Sequence, residues 1–240
     1  MMSFFANSLV DGFMQSSIMG KGIVALQLLG SIFMVAAIIG KWKSLSSAAA
    51  AARRVNRDVM GSRDVLEYYL ARHPNGGTAL ENIYWAVCER LLKLLAPDVR
   101  SLLVGRQPGA AAALTAHEMG LVKSLGEHVL DDEELRVEGG MGVVATVVAL
   151  APMLGLLGTV WGVLDAFADM GAAGSATIAT MAPAISSALV TTVVGLLIAI
   201  PGVAAHTKLT AMVREQMAAM EAFTDDLTGR IALEFQGRSV

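Results

Sequence analysis

The chain has 240 residues, 55% hydrophobic and only 16% charged, with a formal net charge of −3. A soluble domain carries closer to ~25% charged residues, so this composition excludes an ordinary soluble class, points to a membrane protein and gives no case for nucleic acid binding. A single cysteine, Cys88, rules out an internal disulfide and argues against a Cys-based metal site, and His73, His117, His128 and His206 lack metal-ligand spacing.

Residues 1–21 contain no Lys or Arg before Lys21. A secretory leader would begin with positive charge, so the first apolar stretch is read as a retained helix. Phe4, Phe5, Leu9, Phe13 and Met14 fit a short interfacial helix in this N-terminal segment. Residues 22–40 are apolar except for Gln27 and Ser31, close to the ~20 residues that cross a bilayer core, and form the first predicted span. Lys41, Lys43, Arg53, Arg54 and Arg57 follow at once.

Residues 41–138 balance basic and acidic side chains and read as a solvated helical domain. Leu80, Ile83, Tyr84, Val87, Leu91, Leu94 and Leu95 recur at helical spacing after Thr78, a candidate N-cap, and before Pro97, a stop signal. A second helix is predicted from Ala110 to Leu130, with turns at Asn75-Gly76-Gly77 and Gly105 to Gly109.

Residues 139–164 and 178–205 contain no charge and form the second and third predicted spans. Both exceed what the ~30 Å core requires, so they tilt or project beyond it. The connection between them, 165–177, carries Asp165 and Asp169 and no positive residue, and Lys208 and Arg214 follow the third span. The positive-inside rule then places the N-terminus and the 165–177 hairpin in the periplasm, and 41–138 and the C-terminal helix 206–240 in the cytoplasm. Leu209, Val213, Met220, Phe223, Leu227 and Ile231 keep a near-heptad spacing, so the third span is expected to continue as a packed cytoplasmic helix. The fold class is all-α: a polytopic membrane protein whose three transmembrane helices extend into a helical bundle.

At roughly 100° per residue, Ala151, Gly155, Gly158, Gly162, Asp165 and Ala166 share one arc of the second span, with Thr159 at its edge. Thr180, Ala184, Ser187, Ala188, Thr191, Thr192, Gly195 and Ala199 share an arc of the third. Leu and Val residues, Val190 among them, fall opposite. Small faces let helices approach closely, and Gly158 and Gly162 form a GxxxG pair. The hydroxyls fit either a narrow hydrated path or contact with a polar partner. Neither span has an acid in its apolar body, where a proton relay would normally show one, so a titrating carboxylate would have to come from another polypeptide. Glu138 and Asp165 stand only at the two mouths.

The run from Ala151-Pro152 through Gly158-Thr159 to Gly162-Val163, and the run from Ala182-Pro183 through Ser187-Ala188 and Thr191-Thr192 to Gly195-Leu196 and Pro201, resemble the second- and third-span signatures of the MotA/TolQ/ExbB family of ion-channel subunits, ExbB and TolQ in particular. The resemblance implies a homo-oligomeric ring, a pentamer, in the bacterial inner membrane around an ExbD/TolR-type single-span dimer whose Asp takes the proton, coupled to a TonB- or TolA-like protein. It implies that Thr159 and Thr192 lie on the ion path, with Ser187 and Thr191 as secondary liners and Ala151, Gly155, Gly158, Gly162 and Gly195 permitting close packing. It implies a motor driven by H⁺, with a Na⁺-driven stator of the same family as an alternative, no cofactor and no enzyme chemistry. Ser187 stands where ExbB and TolQ usually carry Glu. A non-conducting membrane scaffold for a partner protein is the other reading that the residues leave open.

Overall fold

The computed structural model describes residues 12–14, 16–71, 77–95, 114–173 and 178–235. Every element among them is a helix: α1 (Ile18–Gly61), α2 (Glu67–Ala71), α3 (Ala79–Leu94), α4 (Ala116–Glu138), α5 (Met141–Ala173) and α6 (Ile178–Phe235). Three helices, within Ile18–Gly61, Ala116–Gly171 and Met181–Phe235, are long and apolar enough to cross a membrane. The chain is an all-α polytopic membrane protein. Its contacts divide into two compact units, one built from α1 up to Trp42 with α5 and α6 up to Thr210, the other from the remainder.

In the first unit, the bulky residues of the apolar helices form the surface. Leu29, Ile32 and Phe33 on α1, Met153, Leu156, Val160 and Leu164 on α5, and Leu189, Leu197 and Ile200 on α6 are all exposed. That is the arrangement expected where lipid is the solvent. One residue departs from the expected pattern: Val190 is 7% exposed, and Gly12 packs against it so closely that a Cβ there would lie 2.5 Å from Val190 Cγ2. Pro152, Pro183 and Pro201 lie inside helices, which spans tolerate where neighbouring groups satisfy the freed carbonyls. Lys208 Nζ lies 4.7 Å from the Trp42 ring centroid.

In the second unit, Ile83, Tyr84, Val87, Cys88 and Leu91 of α3 are fully buried with Val59, Val122, Phe223, Leu227 and Ile231. Thr78 caps α3 by accepting from Glu81 N–H. Burial pushes the Cys88 thiol up to about 12. Helix α4 begins at Ala116 and ends at Glu138, later at both ends than the expected Ala110 to Leu130. The start is set by a capping box: the Thr115 hydroxyl accepts from Glu118 N–H, and the Glu118 carboxylate accepts from Thr115 N–H at 2.8 Å. Helix α6 runs unbroken to Phe235, and Leu209, Val213, Met220, Phe223, Leu227 and Ile231 are all buried along it. Arg230 fastens the end of α1, donating to Val59 O at 3.0 Å and to Ser62 O at 2.9 Å.

Phe4, Phe5 and Leu9, the turn residues Asn75-Gly76 and Gly105 to Gly109, Pro97, residues 110–113 and the Thr180 side chain lie outside the described residues.

Candidate functional site

The small faces of α5 and α6 meet each other. A methyl group at Gly155 would lie 2.9 Å from both Thr191 O and Thr192 Cα, and one at Gly195 would lie 2.5 Å from Ala151 O. The place of a Cβ at Gly158 is taken by the Thr191 side chain, and that at Gly162 by the Ala188 methyl, 2.5 Å away. Only glycine lets these backbones come so near, and the closeness lets hydroxyls reach carbonyls across the seam.

Two hydroxyls do so. Thr191 Oγ1 lies 2.9 Å from Gly155 O and 2.8 Å from Ala188 O in its own helix, and its one proton serves one of them at a time. Thr192 Oγ1 donates to Gly155 O at 2.9 Å. Thr191 is 1% exposed, whereas Thr192 is only half-buried. The other two hydroxyls bond within their helices: Thr159 Oγ1 donates to Leu156 O at 2.7 Å, and Ser187 Oγ donates to Ala184 O at 2.9 Å. In every case the hydroxyl proton is spoken for, while the oxygen keeps lone pairs that can accept from water or help ligate a cation.

Thr191, Thr192, Gly155 and Gly158 therefore form one cluster, with Ala151 and Gly195 packed in contact beside it. Along Gly158 and Gly162, which line it, runs a cavity of about 180 Å³ bounded by Ser16, Ser17, Asp165, Asp169, Ser187 and Thr191. It joins the acid-bearing end of α5 to the buried Thr191. Helix α5 continues through Ala173, so Asp165 and Asp169 ride on the helix rather than in a loop. Glu138 is exposed at the end of α4 and belongs to the other unit. Among the described residues, no three His, Cys, Asp or Glu side chains converge as metal ligands.

Gln27 enters the cluster from α1 without having been singled out for a role. Its Nε2 donates to Ala151 O at 3.0 Å and to Thr191 O at 3.3 Å. The available signal was an amide within an otherwise apolar span, where a buried polar side chain needs a partner.

Residues 104–222 match the model of the MotA/TolQ/ExbB proton channel family. The chain is 29% identical to the Tol-Pal system protein TolQ of Haemophilus influenzae over 223 residues, covering 91% of each. It is 41% identical over 95 residues to the biopolymer transport protein ExbB of Xanthomonas campestris pv. campestris, covering 40% of this chain and 38% of that protein. It is also 37% identical over 94 residues to the TolQ of Pseudomonas aeruginosa, covering 39% of this chain and 41% of that protein. These last two matches thus span about two-fifths of the relatives' length.

Proposed function

We propose that this chain, a member of the MotA/TolQ/ExbB proton channel family, is a ring-forming ion-channel subunit of a proton-motive-force-driven motor in the bacterial inner membrane. In this reading several copies, five by resemblance, surround an ExbD/TolR-type dimer and energise an envelope process through a TonB- or TolA-like protein. The transported ion is H⁺. The distribution of Lys and Arg supports a periplasmic N-terminus and Asp165 end, with 41–138 and the C-terminus cytoplasmic.

The observation that supports this most is the hydroxyl seam itself. Thr191 and Thr192 meet Gly155 inside a charge-free stretch, with a cavity leading from Asp165 to Thr191. Spans with no acid in their apolar bodies are suited to receive a carboxylate from a partner. Thr159 and Thr192 would then offer oxygens beside it, at a site where hydrocarbon supplies none.

A second reading, a scaffold that anchors a partner and conducts nothing, is favoured by one specific fact. All four hydroxyls donate to backbone carbonyls of this same chain, as a purely packing role requires. Purification of the intact complex from membranes, with native mass spectrometry, separates the two. The motor reading expects several copies of this chain around two copies of a protein whose single apolar span contains one Asp. A partner span with no carboxylate would leave the scaffold, and the absence of any partner would contradict both readings.

A further inference from the structure

Gln27 is 2% exposed, and the ion-path reading gives it no role. Its Nε2 is held by two carbonyls, Ala151 O and Thr191 O, from two different helices. Those acceptors fix which end of the amide is nitrogen, since the flipped group would set oxygen against oxygen. The room for it comes from glycines: a methyl at Gly195 would lie 2.9 Å from Nε2, and one at Gly155 3.4 Å. The other end of the amide has no such match. Among the described residues, Gln27 Oε1 is the buried side-chain polar atom with no hydrogen-bond partner.

The node is short of donors. Two amide protons and two threonine hydroxyl protons serve Ala151 O, Thr191 O, Gly155 O and Ala188 O, and Oε1 is left over. A buried acceptor without a partner is costly, and more so in hydrocarbon, where no bulk water can reach it. The missing partner must therefore be a donor small enough to enter a packed three-helix junction, which water is. Gln27 does not itself line the cavity of about 180 Å³ described above, but Thr191, to which its amide is bonded, does, and a single water needs only roughly 10–15 Å³ of such space.

We propose that Gln27 Oε1 binds a water molecule supplied from that cavity, so that the first apolar helix contributes an acceptor to the ion path beside Thr191 and Thr192. This rests on the ion-channel reading given above. A neutral amide suits the task because it accepts a hydrogen bond without burying a charge. It does not titrate; it holds a water through which a proton can pass.

The test uses the full chain with its single-span partner in liposomes. Proton uptake is driven by a potassium diffusion potential and normalised to assembled complex. Gln27→Leu and Gln27→Met remove the acceptor at similar volume, and each is expected to lower uptake by about tenfold or more, the rate change from losing one well-placed hydrogen bond. Gln27→Cys is tested separately with a small water-soluble methanethiosulfonate, whose thiosulfonate sulfur is attacked by the thiolate to give a mixed disulfide and free methanesulfinate, so that labelling reports hydration. The parent chain, whose one thiol, Cys88, is buried, sets the background. Labelling well above that background is expected.

Wild-type uptake in either the Leu or the Met variant would overturn the assignment, and so would a Gln27→Cys thiol as inert as the parent. If neither variant assembles, the labelling result decides alone. Wild-type complex that conducts nothing would overturn the channel reading instead, while labelling at position 27 would still report whether water reaches the node.

Discussion

The Thr192 hydroxyl donates to the Gly155 carbonyl at 2.9 Å, tying α6 to α5 at a residue with no side chain. Its neighbour Thr191 reaches the same carbonyl, yet the two differ in reach: Thr191 is 1% exposed and Thr192 half-buried. Of the pair, Thr192 is the one that keeps part of its surface exposed. Thr159, half-buried and bonded only to its own helix, is similarly placed.

Thr192→Val and Thr159→Val keep the side-chain shape and remove the oxygen. Each is expected to leave the complex assembled and to reduce energised function in cells by roughly tenfold or more, a barrier change of ~1.4 kcal/mol or above. The measurement is complementation of a deletion strain, with complex abundance followed by native gel. Full activity in both variants would reject a role for the hydroxyls.

The glycines of the seam divide by what a methyl group would strike. At Gly195 it meets a backbone carbonyl, Ala151 O, at 2.5 Å, and at Gly155 it meets Thr191 O and Thr192 Cα at 2.9 Å, so backbone itself would have to move. Gly195→Ala and Gly155→Ala are expected to cost ~1–3 kcal/mol of stability through overpacking. Gly142, on α5 with nothing near its Cβ position, is the control. Gly142→Ala should be neutral or stabilising by up to ~1 kcal/mol from helix propensity. Thermal unfolding of the detergent-solubilised chain checks both.

The start of α4 carries a pH dependence. Hydrogen bonds from the Thr115 backbone and hydroxyl hold the Glu118 carboxyl below its usual range. A depressed folded-state pKa stabilises above the unfolded value, and that contribution is lost as pH falls through the folded value. The wild type should therefore melt higher than Glu118→Ala at pH 7, and the gap should narrow as pH drops below the ordinary carboxylate range. A gap that does not change with pH would show that the ionised carboxylate is not what caps the helix.

Much of this architecture was legible because apolar residues in a membrane protein sort by size. Gly155, Gly158 and Gly162 repeat at helical spacing on α5, and the structure puts them against Thr191 and Ala188 of α6, with Leu156, Val160 and Leu197 outside. The continuation of α6 was readable for a similar reason: Phe223, Leu227 and Ile231 extend the apolar stripe past Lys208 and Arg214, which follow the span. Three features were harder to read. Val190 is covered by the segment around Gly12, a contact between residues far apart in sequence that periodicity does not encode. The onset of α4 was displaced by the Ala-rich stretch before it, although Thr115 and Glu118 spell the capping signature. Gln27 lay in plain view as an amide among apolar residues, but its bonds run to Ala151 and Thr191, in helices more than a hundred positions away.

The most direct measurement is proton uptake by liposomes containing this chain together with its single-span partner, under an imposed membrane potential. Uptake above that of empty liposomes, lost when Thr192 or Thr159 becomes Val, is the expected result. A complex that assembles fully yet conducts no more than bare lipid would contradict the channel assignment and leave the hydroxyl seam as packing alone.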